Sequence, residues 1–460
     1  MPVLSTIGAA AARGFGWLYK AVGGGTAGAL YTWGSNSSGL LGIGTSGSRS
    51  SPVQVGSDTA WTDASMSLHV IAVKNDGSLW AWGSGGNGSL GLGSTTDYSS
   101  PVQVGALTNW STAQAQYYGS LALKTDGTLW SWGNGGYGRL GDGTTTNKSS
   151  PVQIGALTSW TKIGYGPSAY LNCHAIRSGN TLWAWGFGNP NDTDSYGTIL
   201  NRPHPTVNQS NYSSPVQVSS AISWASVSTG EDHALALTTG GALYAWGSNG
   251  NGQCGLSTLN NPEYYVWYAL ESGCSGGGFA IYGAFYATNI GAGSYQNLNN
   301  PGAATCEPPI DGVTATFISQ GANTQLWGFS SPVQVGSDTN WAQVSTGFLT
   351  GGAVKTTGTL WMWGYNIYGQ LGIGNTSSRS SPTQVGSLTT WAYVKCGREH
   401  SLAVKTDGTL WAWGRNIFGE LGQGDTTNRS SPVQIGSATN WLKAIDALDA
   451  GYRASIAIRT

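Results

Sequence analysis

The chain has 460 residues, of which 20 are basic and 21 acidic, giving a formal net charge of −1 and a charged fraction of 9%, against roughly 25% in an ordinary soluble domain. That balance excludes a strong electrostatic footprint for nucleic acid or for an anionic membrane surface. With 72 Gly, 22 Trp and 21 Tyr and no Gly-X-Y period, collagen and ordinary disorder are excluded as well.

Residues 1–28 open on an apolar run from Val3 to Ala12, with Arg13 and Lys20 after it. A secretory signal places its basic residues first, so no signal peptide is read. No window of 18 or more apolar residues occurs anywhere, and no transmembrane helix or membrane insertion is expected. From residue 29 onward three markers recur seven times each. Ser-Ser-Pro has its proline at Pro52, Pro101, Pro151, Pro215, Pro332, Pro382 and Pro432; Trp-Gly has its tryptophan at Trp33, Trp82, Trp132, Trp185, Trp246, Trp363 and Trp413. A further Trp follows each proline by nine residues, from Trp61 to Trp441. A fixed period near 50 residues is the signature of a repeat architecture.

Within the unit Trp391 to Ile435 the pattern is strand and turn. Ser401 to Lys405 reads as a strand, Asp407-Gly408 as a tight hairpin turn, Thr409 to Trp413 as the partner strand, and Pro432 to Ile435 as a short outer strand. Four short strands per unit and seven units predict an all-β, seven-bladed propeller of four-stranded blades. The last unit stops after Arg453 to Ile458, and its missing half stands at the other end, as Leu30 to Gly34 and Pro52 to Val55. Both termini are therefore expected in one blade, closing the ring without a free sheet edge. The domain reading is a segment 1–28 followed by a propeller over 29–460.

Residue types that carry chemistry are absorbed by the repeat. His69, His174, His233 and His400 share one register in four blades, which holds them apart, and they read as blade residues bonded to neighbouring backbone; His204 stands alone. Nineteen Trp fall in repeat positions and read as packing between blades. Cys254 replaces the leucine of Gly-x-Leu-Gly and reads as a small buried hydrophobe, while Cys274 and Cys306 are candidates for a disulfide. The stretch Gly83 to Gly93 lacks the Gly-Lys-Ser/Thr and helix that a phosphate loop requires. No catalytic residue, cofactor site or metal site is assigned.

Two units break the pattern. Trp-Gly glycine to Ser-Ser-Pro proline is 18 residues in five units, 29 in the fourth and 85 in the fifth, so insertions lie at about 187–214 and 248–331. The longer one gathers Tyr264, Tyr265, Trp267, Tyr268, Tyr282, Phe285, Tyr286 and Tyr295 among Gly, Ser and Asn, the composition of an adaptable binding surface. These eight residues are the candidate ligand or partner surface.

Three motifs carry a family resemblance: Gly-x-x-His-Ser-Leu-Ala at Gly397 to Ala403, Leu-Trp-Ala-Trp-Gly at Leu410 to Gly414, and Gly-Glu-Leu-Gly at Gly419 to Gly422. In these the chain resembles the regulator of chromosome condensation family over about residues 29 to 460, which implies a seven-bladed propeller and leaves function open. Separately, the opening Met-Pro-Val and the run Ala9 to Gly16 resemble the N-termini of structural and tail proteins of marine bacteriophages. That resemblance implies that residues 1–28, with Phe15, Trp17, Leu18 and Tyr19 as candidate anchors, dock the propeller to virion structural proteins. The expectation is a non-enzymatic virion propeller, tail- or fibre-associated, contacting a host receptor, a glycan or neighbouring subunits. The alternatives are a cytoplasmic regulator of the chromosome-condensation type acting on a protein partner, and a propeller-type enzyme inhibitor.

Overall fold

The computed structural model describes residues 26–164, 166, 172–187, 211–256, 328–444 and 447–460, with the backbone of two short strands at 265–266 and 284–285. In the seventh unit, Asp407 Oδ1 accepts hydrogen bonds from the Thr409 amide at 2.9 Å and its hydroxyl at 2.7 Å. Gly408 takes φ +81°, and the turn joins strands His400–Lys405 and Leu410–Gly414. Trp391–Cys396 pairs on one side and Arg429–Gln434 on the other, giving a four-stranded antiparallel sheet. The outer strand starts three residues before Pro432. A bulge between Ala412 and Gly414 brings Arg429 opposite Gly414, so the polar Arg-Ser-Ser stretch joins the ladder ahead of the proline.

Seven such sheets form the ring. Numbered by their Trp-Gly order, blades 2 to 7 have innermost strands Trp61–Met66, Trp110–Ala115, Trp160–Ile163, Trp224–Thr229, Trp341–Thr346 and Trp391–Cys396. Blade 1 takes Leu448–Ala450 and Ala454–Arg459 from one end of the chain and Ala29–Gly34 and Arg49–Gln54 from the other. The seam runs in register from Ala29 opposite Arg459 to Gly34 opposite Ala454. Strands alternate in direction, so the turn between a blade's first and second strands and the loop between its third and fourth emerge on one face, here the upper. Both insertions leave from upper-face loops.

The core lies between blades. All seven Trp-Gly tryptophans are fully buried. In six of them the indole N–H donates to a carbonyl of the preceding blade, always that of x in Gly-x-Leu-Gly or its Cys variant. Examples are Trp82 to Leu40 (3.1 Å), Trp363 to Gln253 (2.9 Å) and Trp413 to Gln370 (2.9 Å). The second glycine of that motif lies under the indole: a Cβ on Gly372, at φ +68°, would stand 2.7 Å from Trp413 Nε1. Gly372→Ala is therefore expected to destabilise by about 1–3 kcal/mol through clash and an unfavourable φ, read as a lower denaturation midpoint. An unchanged midpoint would contradict this account of the glycine.

A third tryptophan series packs against the rims of these inter-blade clusters. Trp80, Trp130, Trp183, Trp361 and Trp411 are only half-buried. Each donates to the hydroxyl two residues before it, as Trp411 does to Thr409 at 2.8 Å. A cation sits between this ring and the unit-opening tryptophan: Lys405 Nζ lies 3.6 Å from the Trp411 centroid and 4.9 Å from that of Trp391.

Closure of the ring does not by itself remove sheet edges, because every innermost strand turns an unpaired edge to the channel. Side chains of the preceding blade cover it. Asp63 Oδ2 accepts from the Ala113 amide, Ser65 Oγ from Ala115, Gln343 Oε1 from Val394, Ser345 Oγ from Cys396, Ser228 Oγ from Thr346 and Asp449 Oδ2 from Met66, at 2.9–3.1 Å. The third and fifth positions of one innermost strand thus cap the fourth and sixth amides of the next, meeting the cost of buried donors.

Candidate functional site

The register-matched histidines work across blade junctions. His69 Nε2 lies 2.7 Å from the Ser120 hydroxyl, His174 Nδ1 3.0 Å from that of Thr229 and His400 Nε2 2.9 Å from that of Ser455. His233 Nε2 is 3.3 Å from the Thr350 carbonyl oxygen. Three of the four thus meet a hydroxyl of the next blade rather than backbone, because that blade offers Ser or Thr at the facing position. Burial pushes His69, His174 and His400 down to about 3, which keeps them neutral and unsuited to proton transfer near neutrality. Cys173, Cys254 and Cys396 are free and buried. Burial pushes the thiols of Cys173 and Cys396 up to about 12 and raises that of Cys254, so none is a ready nucleophile. Among the described residues no group of three His, Cys, Asp or Glu is placed to hold a metal ion, and no helix is long and apolar enough to cross a membrane.

The upper face is different. Each of the six fully described turns between first and second strands contributes a pair of residues that the repeat does not fix: Tyr452-Arg453 in blade 1, Ser67-Leu68 in blade 2, Tyr117-Tyr118 in blade 3, Glu231-Asp232 in blade 5, Phe348-Leu349 in blade 6 and Arg398-Glu399 in blade 7. The Arg398 guanidinium lies 4.4 Å from the Phe348 ring centroid and 4.1 Å from that of Tyr452. Tyr452 meets Tyr117 edge-on at 5.5 Å, and Tyr117 meets Tyr118 at 4.5 Å. Tyr452 and Tyr117 belong to blades 1 and 3, which are not neighbours in the ring, so the row of rings crosses the mouth of the central channel. Glu399 pairs with Arg415 and lies 4.0 Å from Arg398. Half-buried Arg and Tyr side chains fixed by stacking are the residues that dominate protein interfaces. Around them, Tyr137, Ile367 and Ile417 project from the third-to-fourth-strand loops of blades 3, 6 and 7 with 46%, 48% and 45% exposure.

The residues singled out from sequence are not among these. Phe15, Trp17, Leu18 and Tyr19 fall outside the described residues, as do Tyr264, Trp267, Tyr268, Tyr282, Tyr286 and Tyr295, and Cys274, Cys306 and His204. Of Tyr265 and Phe285 the backbone is described, and it places the two opposite each other in a two-stranded antiparallel ladder. The channel-mouth cluster was missed because its members come from four units and repeat in none. Reading the two residues between first and second strands across all units would have shown the excess of Tyr, Phe and Arg.

Comparison with known proteins agrees with this architecture. The regulator of chromosome condensation (RCC1) repeat matches residues 27–70, 76–123, 126–168, 357–404 and 407–458, and a second model of that repeat matches 224–253 and 391–420. The match begins at residue 27, so the N-terminal resemblance to phage structural proteins gains nothing from it. Human RCC1 domain-containing protein 1 is 30% identical over 154 residues, an alignment spanning 34% of this chain and 34% of that protein. The chain is thus matched to about a third of that relative's length. Human WBSCR16 has a similar fold at 16% identity and TM-score 0.66, covering 94% of this chain and 98% of its own. So has Prp20p of Saccharomyces cerevisiae, described with its binding to Gsp1p and histones, at 16% identity and TM-score 0.66, covering 96% and 93%. With its repeat matched over more than half of the sequence, the chain belongs to the regulator of chromosome condensation (RCC1) repeat family.

Proposed function

We propose that this chain is a non-catalytic propeller inside the cell that regulates a protein partner by binding it on the upper face. The observation that carries the reading is the Arg398, Phe348, Tyr452 and Tyr117 cluster across the channel mouth. Stacking holds its side chains in place, so binding would cost little ordering entropy. The net charge of −1 gives no long-range pull on nucleic acid, which favours a protein partner. Membership of a family whose relative Prp20p is described with protein partners points the same way and favours this reading over the virion adhesin.

Affinity capture from the source cells with wild type and with an Arg398→Ala/Tyr452→Ala variant tests it. One protein retained by wild type and reduced at least tenfold on the variant is expected, since interface Arg and Tyr truncations cost about 2 kcal/mol or more at hot spots. Equal capture by both would overturn the assignment of the face. Density-gradient fractionation separates the two settings: protein co-migrating with its partner in the soluble fraction agrees with the regulator, and protein in a particle band returns the virion reading.

A further inference from the structure

We propose that the upper-face cleft between blades 1 and 2 receives a glutamate or aspartate side chain of the partner protein; the inference rests on the protein-binding reading above. The cleft measures about 230 Å³ and is walled by Ser35, Ser37, Ser38 and Ser84 with Tyr452 and Arg453, over an apolar floor. Small-molecule sites enclose about 300–1,000 Å³, so this cleft suits one side chain rather than a free metabolite.

Its charge is unbalanced. Arg398 and Arg415 both face Glu399, whereas Arg453 has no carboxylate within ion-pair distance among the described residues. Its guanidinium lies 5.1 Å from the ring centroids of both Phe418 and Tyr452, and Arg453 is one of the residues lining the cleft. Ser35 Oγ and Ser37 Oγ are 3.2 Å apart, and between them only one proton is shared, so the other remains for an acceptor. A planar fork of donors beside serine hydroxyls matches a carboxylate. Phosphoryl groups are generally gripped by clusters of arginines, and here there is one. The apolar floor accepts the methylenes behind the carboxylate. Without an incoming anion the cleft holds a half-buried cation with no counter-charge among the described residues, so acidic partners are selected over neutral ones.

Display of random twelve-residue peptides on the immobilised full chain tests this. Peptides whose capture is lost on Arg398→Ala or Tyr452→Ala are expected to carry an acidic residue. Changing it to the amide should weaken binding at least tenfold on wild type and less than twofold on Arg453→Gln. Ser84→Leu, which fills the cleft and keeps Arg453, should also reduce capture at least tenfold, and it serves as the second variant should Arg453→Gln fail to melt like wild type. Face-bound peptides without an acidic residue, or an equal amide effect on wild type and Arg453→Gln, would overturn the cleft assignment and leave the binding face standing. Selection of peptides indifferent to Arg398→Ala and Tyr452→Ala, or of none, would overturn both.

Discussion

Trp363→Ala lowers the free energy of unfolding by about 3–5 kcal/mol, the cost of emptying a fully buried aromatic site. Trp363 is 0% exposed, and its ring packs with Leu235, Leu243 and Cys254 of blade 5, so the cavity opens at a blade junction. Substitution by phenylalanine separates packing from hydrogen bonding. Trp363→Phe removes the donor to the Gln253 carbonyl, leaving that oxygen unpaired at a cost of about 1–3 kcal/mol beyond the lost volume. Trp246 is equally buried, but its indole nitrogen has no acceptor among the described residues. The fourth unit has no Gly-x-Leu-Gly to supply one, the insertion after Gly186 standing in its place. Trp246→Phe is therefore expected to cost less than Trp363→Phe by about 1–3 kcal/mol. Equilibrium denaturation of the two variants checks it, and equal losses would remove the hydrogen bond from the account.

Acidification should destabilise the fold well before its carboxylates titrate. Burial holds His69, His174 and His400 at about 3, against 6.5 in an open chain. Below 6.5 the unfolded chain takes up three protons that the folded chain refuses, so stability falls as pH drops from about 6.5 toward 3. The slope is on the order of 1 kcal/mol per histidine per pH unit. By pH 5 the three together cost several kcal/mol, a large part of the about 5–15 kcal/mol that usually holds a domain. The turn carboxylates Asp76, Asp126 and Asp407 are lowered below 3.8, mainly by hydrogen bonds from Ser78, Thr128 and Thr409 opposed by burial. Their stabilising effect is lost only below that range. Glu420, raised by its burial, works weakly in the opposite sense. Urea midpoints from pH 8 to pH 4 should be level above pH 7 and fall from about 6.5. A variant with all three histidines changed to asparagine should lose most of that slope, though its baseline will be lower. A wild-type midpoint that stays level to pH 4.5 would contradict the buried neutral state.

Where a residue does the same thing in every blade, its role was legible in the sequence. The Trp-Gly, Ser-Ser-Pro and unit-opening Trp series sit at equivalent points of all seven blades, and the shared blade of the two termini followed from counting half-units. Roles that rotate among residue types were hidden. The caps on the innermost strands are Asp63 or Gln343 at one place and Ser65, Ser228, Ser345 or Asp449 at another, because any side-chain oxygen that reaches the facing amide serves. No string marks them. The channel-mouth cluster was hidden for another reason: Tyr117 and Tyr452 are 335 positions apart in the sequence, and only closure of the ring brings them together. The aromatic insertion drew attention by its composition, which speaks of adaptability and is silent on placement.

The seam in blade 1 gives the molecule a front and a back. Strand Ala29–Gly34 begins opposite Arg459, at the end of the blade away from the channel-mouth cluster, and Thr460 stands beside it. Residues 26 and 460 therefore stand on the same side of the ring, opposite Arg398 and the strand ends from which the two insertions depart. A tether at residue 460 would turn the channel-mouth face outward. Immobilising the chain there thus presents the binding surface, while immobilising it through a loop of that surface hides it.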